Sequence, residues 1–588
     1  MVGWATLTKA GYQVRIVGIA AAAILVVVLL TIPLFGDYVI WLTANMLILA
    51  LFAVGFNLLF GFTGLLSFGQ AGFFAVGGYV CAKILLAVPS LLLGVIGGVL
   101  AAGVAALIIG FLCVRHTEIY FAMLTLAFGM MIHSIIWKWR SVTGGDDGLV
   151  GVPRAPLEIP GVLSIEMAAL DRYYYFVLVL VVLGILAIWG VVRSSLGLTL
   201  QGIRDSESRV TFSGLSVRKY RLIAFTIAGL AAGLAGALMV PLGRSASPAI
   251  ANWTFSAEPV IATLLGGASL RRPHRRRLPV LHHQGDRRHI HRILDDDPRH
   301  HRGRPGARIP GRDRQRHPTP PAAFADASAS RERRRPITIL FRAEGLCKTF
   351  GDFVAVNDVH LTLEKGVLTS IIGPNGAGKT TLINLFTGKL SCDFGRLFFD
   401  GTEITDLTPH ERVRRGISRS FQITNIFPQM TVVQNLQLPV LARLDRAARP
   451  FARPDRDPDV GAEVESLLGD IGLREVRNVR AKALAHGDQR LLEIGMAIAC
   501  RPRLCFLDEP CSGMNPGERV QMQELIRKLT AMRDVTFVIV EHDMDVVFAL
   551  SDWVIVMHQG TVLTEGRPEA IRNHAGVQEI YLGEKVGA

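Results

Sequence analysis

Residues Leu368–Gly388 read LTSIIGPNGAGKTTLINLFTG, and the fold of the C-terminal half is decided there. Leu368–Ile372 is a short β-type run. Gly373–Thr381 (GPNGAGKTT) follows, and LINLFTG continues as a helix. A glycine, four residues, then Gly-Lys-Thr between a strand and a helix is the pattern of a phosphate-cradling loop. In the loop of Gly373, Pro374, Asn375, Gly376, Ala377 and Gly378 the glycines would let backbone N–H groups face phosphate, and the helix N-terminus adds positive partial charge. Lys379 would reach the β- and γ-phosphates, Thr380 would ligate Mg²⁺, and Thr381 completes the turn.

Two further runs fit an α/β nucleotide-binding fold. RLCFLDEP (Arg503–Pro510) is an apolar strand ending in two carboxylates. Asp508 would hold the metal through water, and Glu509 would polarise an attacking water as general base. VTFVIVEHD (Val535–Asp543) is another apolar strand, ending at His542, placed to contact the γ-phosphate.

The N-terminal half has a different character. The chain of 588 residues has a mean hydropathy of +0.36, which is too high for a wholly soluble protein of this size. A span needs about 20 apolar residues. Val14–Phe35, Val39–Phe60, Leu66–Val88, Leu91–Val114, Ile119–Trp139, Tyr173–Val192 and Tyr220–Leu242 qualify, so about seven or eight spans are expected. The chain shows no cleavable signal pattern. Gly61–Tyr79 (GFTGLLSFGQAGFFAVGGY) crowds glycines and polar side chains into membrane depth. Two readings stay open: part of a translocation path, or close helix packing. The polar loop Ser194–Lys219 carries Arg204, Asp205, Glu207, Arg209, Arg218 and Lys219. The positive-inside rule places it in the cytoplasm, where a short amphipathic helix would dock on a soluble partner.

The net charge of +14 is not spread evenly. Residues 1–270 carry +5, residues 336–588 carry −3, and residues 271–335 alone carry +12. The basicity of one short segment argues against nucleic acid as a partner. That segment holds 19 Arg, no Lys and half of the 16 His, and it interrupts the apolar stretch EPVIATLLGGASL. Arg, His, Pro and Asp without Lys is what a GC-rich gene yields out of frame. Residues 271–335 are therefore read as an out-of-frame segment or a disordered linker, with no packed core, leaving the permease C-terminus truncated. Seven scattered cysteines form no Cys-x-x-Cys pair and suggest neither disulfides nor zinc.

With LAHGDQ (Leu484–Gln489) and His542, the motifs of residues 336–588 resemble those of ABC-type ATPases. The resemblance implies ATP and Mg²⁺ as cofactors. It implies that Gln422, in RSFQ, senses Mg²⁺ and the membrane domain, joining Glu509 and His542 in catalysis. Phe350, in KTFG, aligns with the aromatic that stacks on adenine. Leu484, Ala485, His486, Gly487, Asp488 and Gln489 would complete the ATP site of an opposing subunit. Ala485 stands where Ser is usual, and Asn515 stands where Asp usually ends the D-loop.

Finer features resemble Liv-type amino acid importers. They are RSFQITNIFPQMTVVQNL (Arg419–Leu436), LAHGDQRLLEIGMAIACRP (Leu484–Pro502) and VQEIYLGE (Val577–Glu584). The first half adds IYFAMLTLAFG (Ile119–Gly129), WKWRSVTGGDDGL (Trp137–Leu149) and LGLTLQGIRDSE (Leu196–Glu207). The expected architecture is an all-α polytopic membrane domain (1–270) followed by an α/β P-loop ATPase domain (336–588), with Gly202–Gly214 as coupling helix. The resemblance implies a second permease and a second ATPase subunit, a periplasmic substrate-binding protein, and alternating access in the bacterial inner membrane. Branched-chain amino acids lead as substrate; urea, amides or other amino acids, or a transport-defective product that keeps its ATPase, are alternatives. An exporter half-transporter would need long cytoplasmic helical extensions, and the internal loops here are short.

Overall fold

The computed structural model describes residues 24–266 and 338–582, apart from Thr117, residues 160–162, Ile423 and Asp534. Residues 14–23 of the expected span Val14–Phe35, all of 271–335 and the end of VQEIYLGE lie outside the described residues.

Among the described residues, six helices are long and apolar enough to cross a membrane. They are α1 (Asp37–Thr63), α2 (Gln70–Ala87), α3 (Leu91–Cys113), α4 (Glu118–Lys138), α5 (Leu170–Val192) and α8 (Val217–Gly243). Between α5 and α8 lie two shorter helices, α6 (Ser195–Asp205) and α7 (Glu207–Thr211). A short α9 (Ala257–Gly266) packs on α1.

Helix α1 stops at Gly64, whose φ of +80° lets the chain turn back. The N–H of Gly64 donates to Phe60 O and that of Leu65 to Leu59 O, both at 3.2 Å. The backbone then runs non-helically to Gly69 among buried residues. Freed amides at such depth need protein partners. Phe68 N–H donates to Thr125 Oγ1 of α4 at 3.2 Å, and Ala71 N–H to Ser256 Oγ at 3.0 Å. Ser67 Oγ accepts from Gly69 N–H and Gln70 Nε2. The glycines beyond this break serve packing. A Cβ on Gly77 would lie 2.4 Å from Gly233 O, and one on Gly98 2.4 Å from Gly77 O. Small residues thus bring the backbones of α2, α3 and α8 into contact, as is common in lipid.

The ATPase half has two sheets. Strands β1 (Ile339–Phe350), β2 (Phe353–Glu364), β4 (Phe394–Phe399) and β5 (Thr402–Glu403) form an antiparallel sheet in the order β2-β1-β4-β5. The second sheet contains β3 (Thr369–Ile372), β6 (Ile417–Arg419), β7 (Leu504–Asp508), β8 (Thr536–Val540), β9 (Trp553–His558) and β10 (Thr561–Gly566). Its order is β6-β7-β8-β3-β9-β10, parallel except at the β9–β10 edge. Every residue of β3, β7 and β8 is buried, which suits the apolar tetrads Leu504–Leu507 of β7 and Phe537–Val540 of β8. Asp508 pairs with Val540, and Val540 with Ile371. That register brings three strand ends to one edge, where open α/β sheets bind ligands. A helical part carries α11 (Val432–Arg443), α12 (Pro458–Asp470) and α13 (His486–Ala499).

The two halves meet through α6 and α7. The expected single coupling helix over Gly202–Gly214 is instead the end of α6, a break at Ser206 (φ −161°, ψ 104°), then α7. Ser206 Oγ accepts from Arg209 N–H at 3.2 Å, so a capping serine restarts the helix. Leu196, Leu198, Leu200 and Ile203 of α6 are buried. Ser195 N–H donates to Ala452 O at 2.9 Å, Gln429 N–H donates to Asp205 Oδ2 at 3.2 Å, and Ser206 Oγ donates to Asn425 Oδ1 at 2.8 Å.

Gly77→Val should destabilise the membrane half by about 1–3 kcal/mol through overpacking. A lowered thermal transition in detergent would show it. Gly461→Ala on α12, where a Cβ meets nothing within 4 Å, should not lower the transition.

Candidate active site

The loop after β3 depends on glycine at its two ends. Gly373 has φ +152° and Gly378 φ +96°. A Cβ would lie 2.3 Å from Met557 O at the first and 2.4 Å from Ala355 O at the second. Both positions combine a conformation that side chains disfavour with backbone contact. Gly378 caps helix α10 (Lys379–Phe386), so Lys379, Thr380 and Thr381 form its first turn. Asn375, Gly376 and Thr380 are exposed, Pro374 is half-buried, and Ala377 is buried. Lys379 Nζ donates to Gly373 O at 2.6 Å and to Pro374 O at 3.0 Å, which folds the ammonium across the loop. Burial pulls its pKa down, and the Glu509 and Asp508 carboxylates act against that.

Asp508 ends β7 and is only 2% exposed. Its N–H donates to Ser420 Oγ at 3.1 Å, and its Oδ2 lies 3.6 Å from Arg419 Nη2. Burial pushes its carboxyl pKa up, and the Arg419 guanidinium opposes this most strongly. Glu509 follows at φ +47°, a conformation uncommon outside glycine. Its N–H donates to Val540 O at 2.8 Å, which ties the turn to β8. Gln422 Nε2 donates to Glu509 Oε1 at 3.1 Å, and His542 Nδ1 lies 3.7 Å from the same oxygen. The three residues expected to share catalysis therefore converge on one carboxylate. Beside them, Glu541 is buried and accepts from Cys511 N–H at 3.2 Å.

The other expected residues stand apart from this cluster. Phe350 ends β1, 48% exposed, with Lys348 Nζ 5.8 Å from its ring. Leu484 is buried and precedes α13, and Ala485 is the N-cap residue without a side-chain cap. Ala485 and His486 are exposed, Gly487 is buried, and Asp488 and Gln489 are half-buried. Gln489 Nε2 donates back to Leu484 O at 3.0 Å. No hydrogen bond or ion pair among the described residues joins this loop to Gly373–Thr381. Asn515 has a visible purpose. Its Oδ1 accepts from Glu518 N–H at 2.9 Å, and Glu518 Oε2 accepts from Asn515 N–H at 3.1 Å. That reciprocal cap starts α14 (Pro516–Arg533).

Sequence reasoning passed over several residues around the site. Glu493 on α13, 1% exposed, accepts from Phe421 N–H at 2.9 Å through Oε1. Arg490 holds Phe421 O at 2.7 Å and also Gln422 O. Arg209 of α7 donates to Glu493 O at 3.0 Å. Burial pulls the Arg209 pKa down and raises that of Glu493, each countered by the other charge.

Residues 356–512 match the family described as ABC transporter, and residues 38–274 match that of the branched-chain amino acid transport system permease component. The high-affinity branched-chain amino acid transport ATP-binding protein BraF of Pseudomonas aeruginosa is 39% identical over 257 residues, which is 42% of this chain and 99% of BraF. The chain belongs to the ABC transporter family. LivG of Escherichia coli K12, of the same description as BraF, is 38% identical over 252 residues, 42% of this chain and 98% of LivG. Among solved structures, a nucleotide-free ATP-binding cassette from an ABC transporter is 32% identical and covers 42% of this chain and 100% of its own, with a TM-score of 0.38. This ABC transporter chain thus joins a multi-pass permease domain to a domain that binds and hydrolyses ATP.

Glu509→Gln keeps the hydrogen-bond acceptor for Gln422 but removes the carboxylate expected to act as base. It should lower kcat for ATP hydrolysis about 10²–10⁴-fold while leaving ATP binding near its starting affinity, as measured by turnover and equilibrium titration.

Proposed function

We propose that this chain imports branched-chain amino acids (leucine, isoleucine and valine) across the bacterial inner membrane, driven by ATP. The observation that carries the reading is the co-occurrence, in one chain, of a permease half of the branched-chain amino acid transport description and an ATPase half like BraF and LivG. The docked loop Ser194–Lys219, with Arg204, Arg209, Arg218 and Lys219, supports a cytoplasmic position for the ATPase. Residues 1–270 act as permease and 336–588 as ATPase. A second permease, a second ATPase subunit and a periplasmic binding protein complete the assembly.

Within the ATP site, Gly373–Thr381 holds the phosphates and Phe350 supports the adenine. Thr380, Asp508 and Gln422 offer a hydroxyl, a carboxylate and an amide oxygen. That hard-oxygen donor set suits Mg²⁺, which when bound would neutralise phosphate charge. Glu509 orients and activates water, while Gln422 and His542 fix its carboxylate. Leu484–Gln489 serves the opposing subunit, with the N-terminus of α13 taking the part of the missing serine.

A second reading has its own support. The permease match ends at residue 274, just inside the run of Arg, His and Pro that begins at residue 271. The last permease spans are then encoded in another frame, and this product hydrolyses ATP without transport. An apolar run in another frame of the DNA is the expected finding; two frames without one would sink the idea.

Cells lacking their own system should gain leucine uptake from this chain with its partner subunits. Uptake should be competed by isoleucine and valine and be lost with Lys379→Ala. Uptake that persists in that variant would remove the ATP-driven reading.

A further inference from the structure

One buried guanidinium touches four parts of the molecule. Arg419, 3% exposed, is the last residue of β6. Its Nη1 donates to Asn384 Oδ1 at 2.7 Å and to Thr387 Oγ1 at 3.2 Å, at the end of α10. Its Nε donates to Ser420 O at 3.2 Å, and its Nη2 lies 3.6 Å from Asp508 Oδ2. Two aromatic rings cover it: Phe421 at 4.9 Å and Phe212 at 5.6 Å from the guanidinium carbon. The rings pack edge to face, with centroids 5.2 Å apart.

Phe212 belongs to the permease half. It follows α7 directly, its N–H donating to Ser208 O at 3.0 Å. Arg209, one turn earlier, is anchored on Glu493 O. Beside this packing lies a cavity of about 290 Å³ lined by Ser213, Gly214, Val413, Arg414 and Cys500. Val413 and Cys500 also pack against Phe212. A guanidinium out of water holds its geometry through its hydrogen bonds and ring faces, and loosens when water reaches it. Removing the Phe212 ring would join the cavity to Arg419 and open that path.

We propose that Arg419 is a positioning residue that holds the Asp508 carboxylate in its metal-binding place only while the permease's Phe212 is seated against it. The relay rests on the reading of Asp508 as a metal ligand. It bypasses Gln422, because it reaches the site through β6, α10 and β7. A shift of α7 on the permease side therefore changes metal affinity before any change at Glu509.

The test uses the full-length chain in detergent, carrying Glu509→Gln to stop turnover. Cysteines replacing Ser206 and Asn425 are oxidised to lock docking, so undocking cannot explain a result. Mn²⁺, read by electron paramagnetic resonance in the presence of ATP, replaces Mg²⁺. Phe212→Ala and Arg419→Lys should each weaken Mn²⁺ binding about fivefold or more. The double variant should be no worse than either single one, and Phe212→Tyr should restore most of the affinity. Asp508→Asn should abolish the site. Unchanged Mn²⁺ affinity in locked Phe212→Ala, with Asp508→Asn abolishing it, would overturn the relay. Additive losses in the double variant would do the same. An unaffected Asp508→Asn would instead remove the metal-ligand reading on which the relay stands.

Discussion

Burial of charge at the seam between permease and ATPase governs the arrangement of the rest. Arg209, Arg419, Arg490, Glu493 and Asp508 are all buried there. Taking each ion from water costs several kcal/mol, so each needs fixed partners. Those partners come from different elements: α7 supplies Arg209, α13 supplies Arg490 and Glu493, and the strand ends supply Arg419 and Asp508. Glu493 accepts the N–H groups of Phe421 and Asn425, while Arg490 holds the carbonyls of Phe421 and Gln422. The segment carrying Gln422 is therefore bound to the helix that begins at Leu484–Gln489. Arg209 of α7, donating to Glu493 O, joins both to the permease half.

The parts legible in the sequence are those with a periodic or local cause. Apolar runs the length of a bilayer correspond to α1–α5 and α8, and apolar tetrads lie in β7 and β8. The phosphate loop was legible because glycines at fixed spacing have few other uses. The break of the coupling element at Ser206 was not, because a serine between Asp205 and Glu207 reads equally well inside a polar helix or at its cap. Asn515 looked like a departure from a motif, yet its side chain caps α14. Arg419 gave no signal, since an arginine before an aromatic reads as an ordinary surface cation. Only tertiary packing shows it covered by Phe212 and Phe421. Likewise, Gly61–Tyr79 crowds glycines and polar groups at membrane depth, but the partners of the freed amides there, Thr125 and Ser256, are distant in sequence.

Neighbouring carboxylates at the end of β7 answer to different parts of the chain. Asp508 is tied to Arg419 and Ser420, on the side that meets Phe212. Glu509 is turned away by its positive φ and meets Gln422 and His542, with its N–H on β8. The strained residue lets a single strand end present its two carboxylates to different neighbours. Under the proposed roles of Asp508 and Glu509, metal and base would be placed separately: the first through the ring of Phe212, the second through Gln422. A rigid parallel sheet fixes where both carboxylates begin, since Asp508 is in register with Val540 and Ile371. Against that fixed edge, small movements of α7 need only change which side chains cover Arg419 and where Gln422 points. Coupling of this kind requires no deformation of the sheet, which close packing would resist.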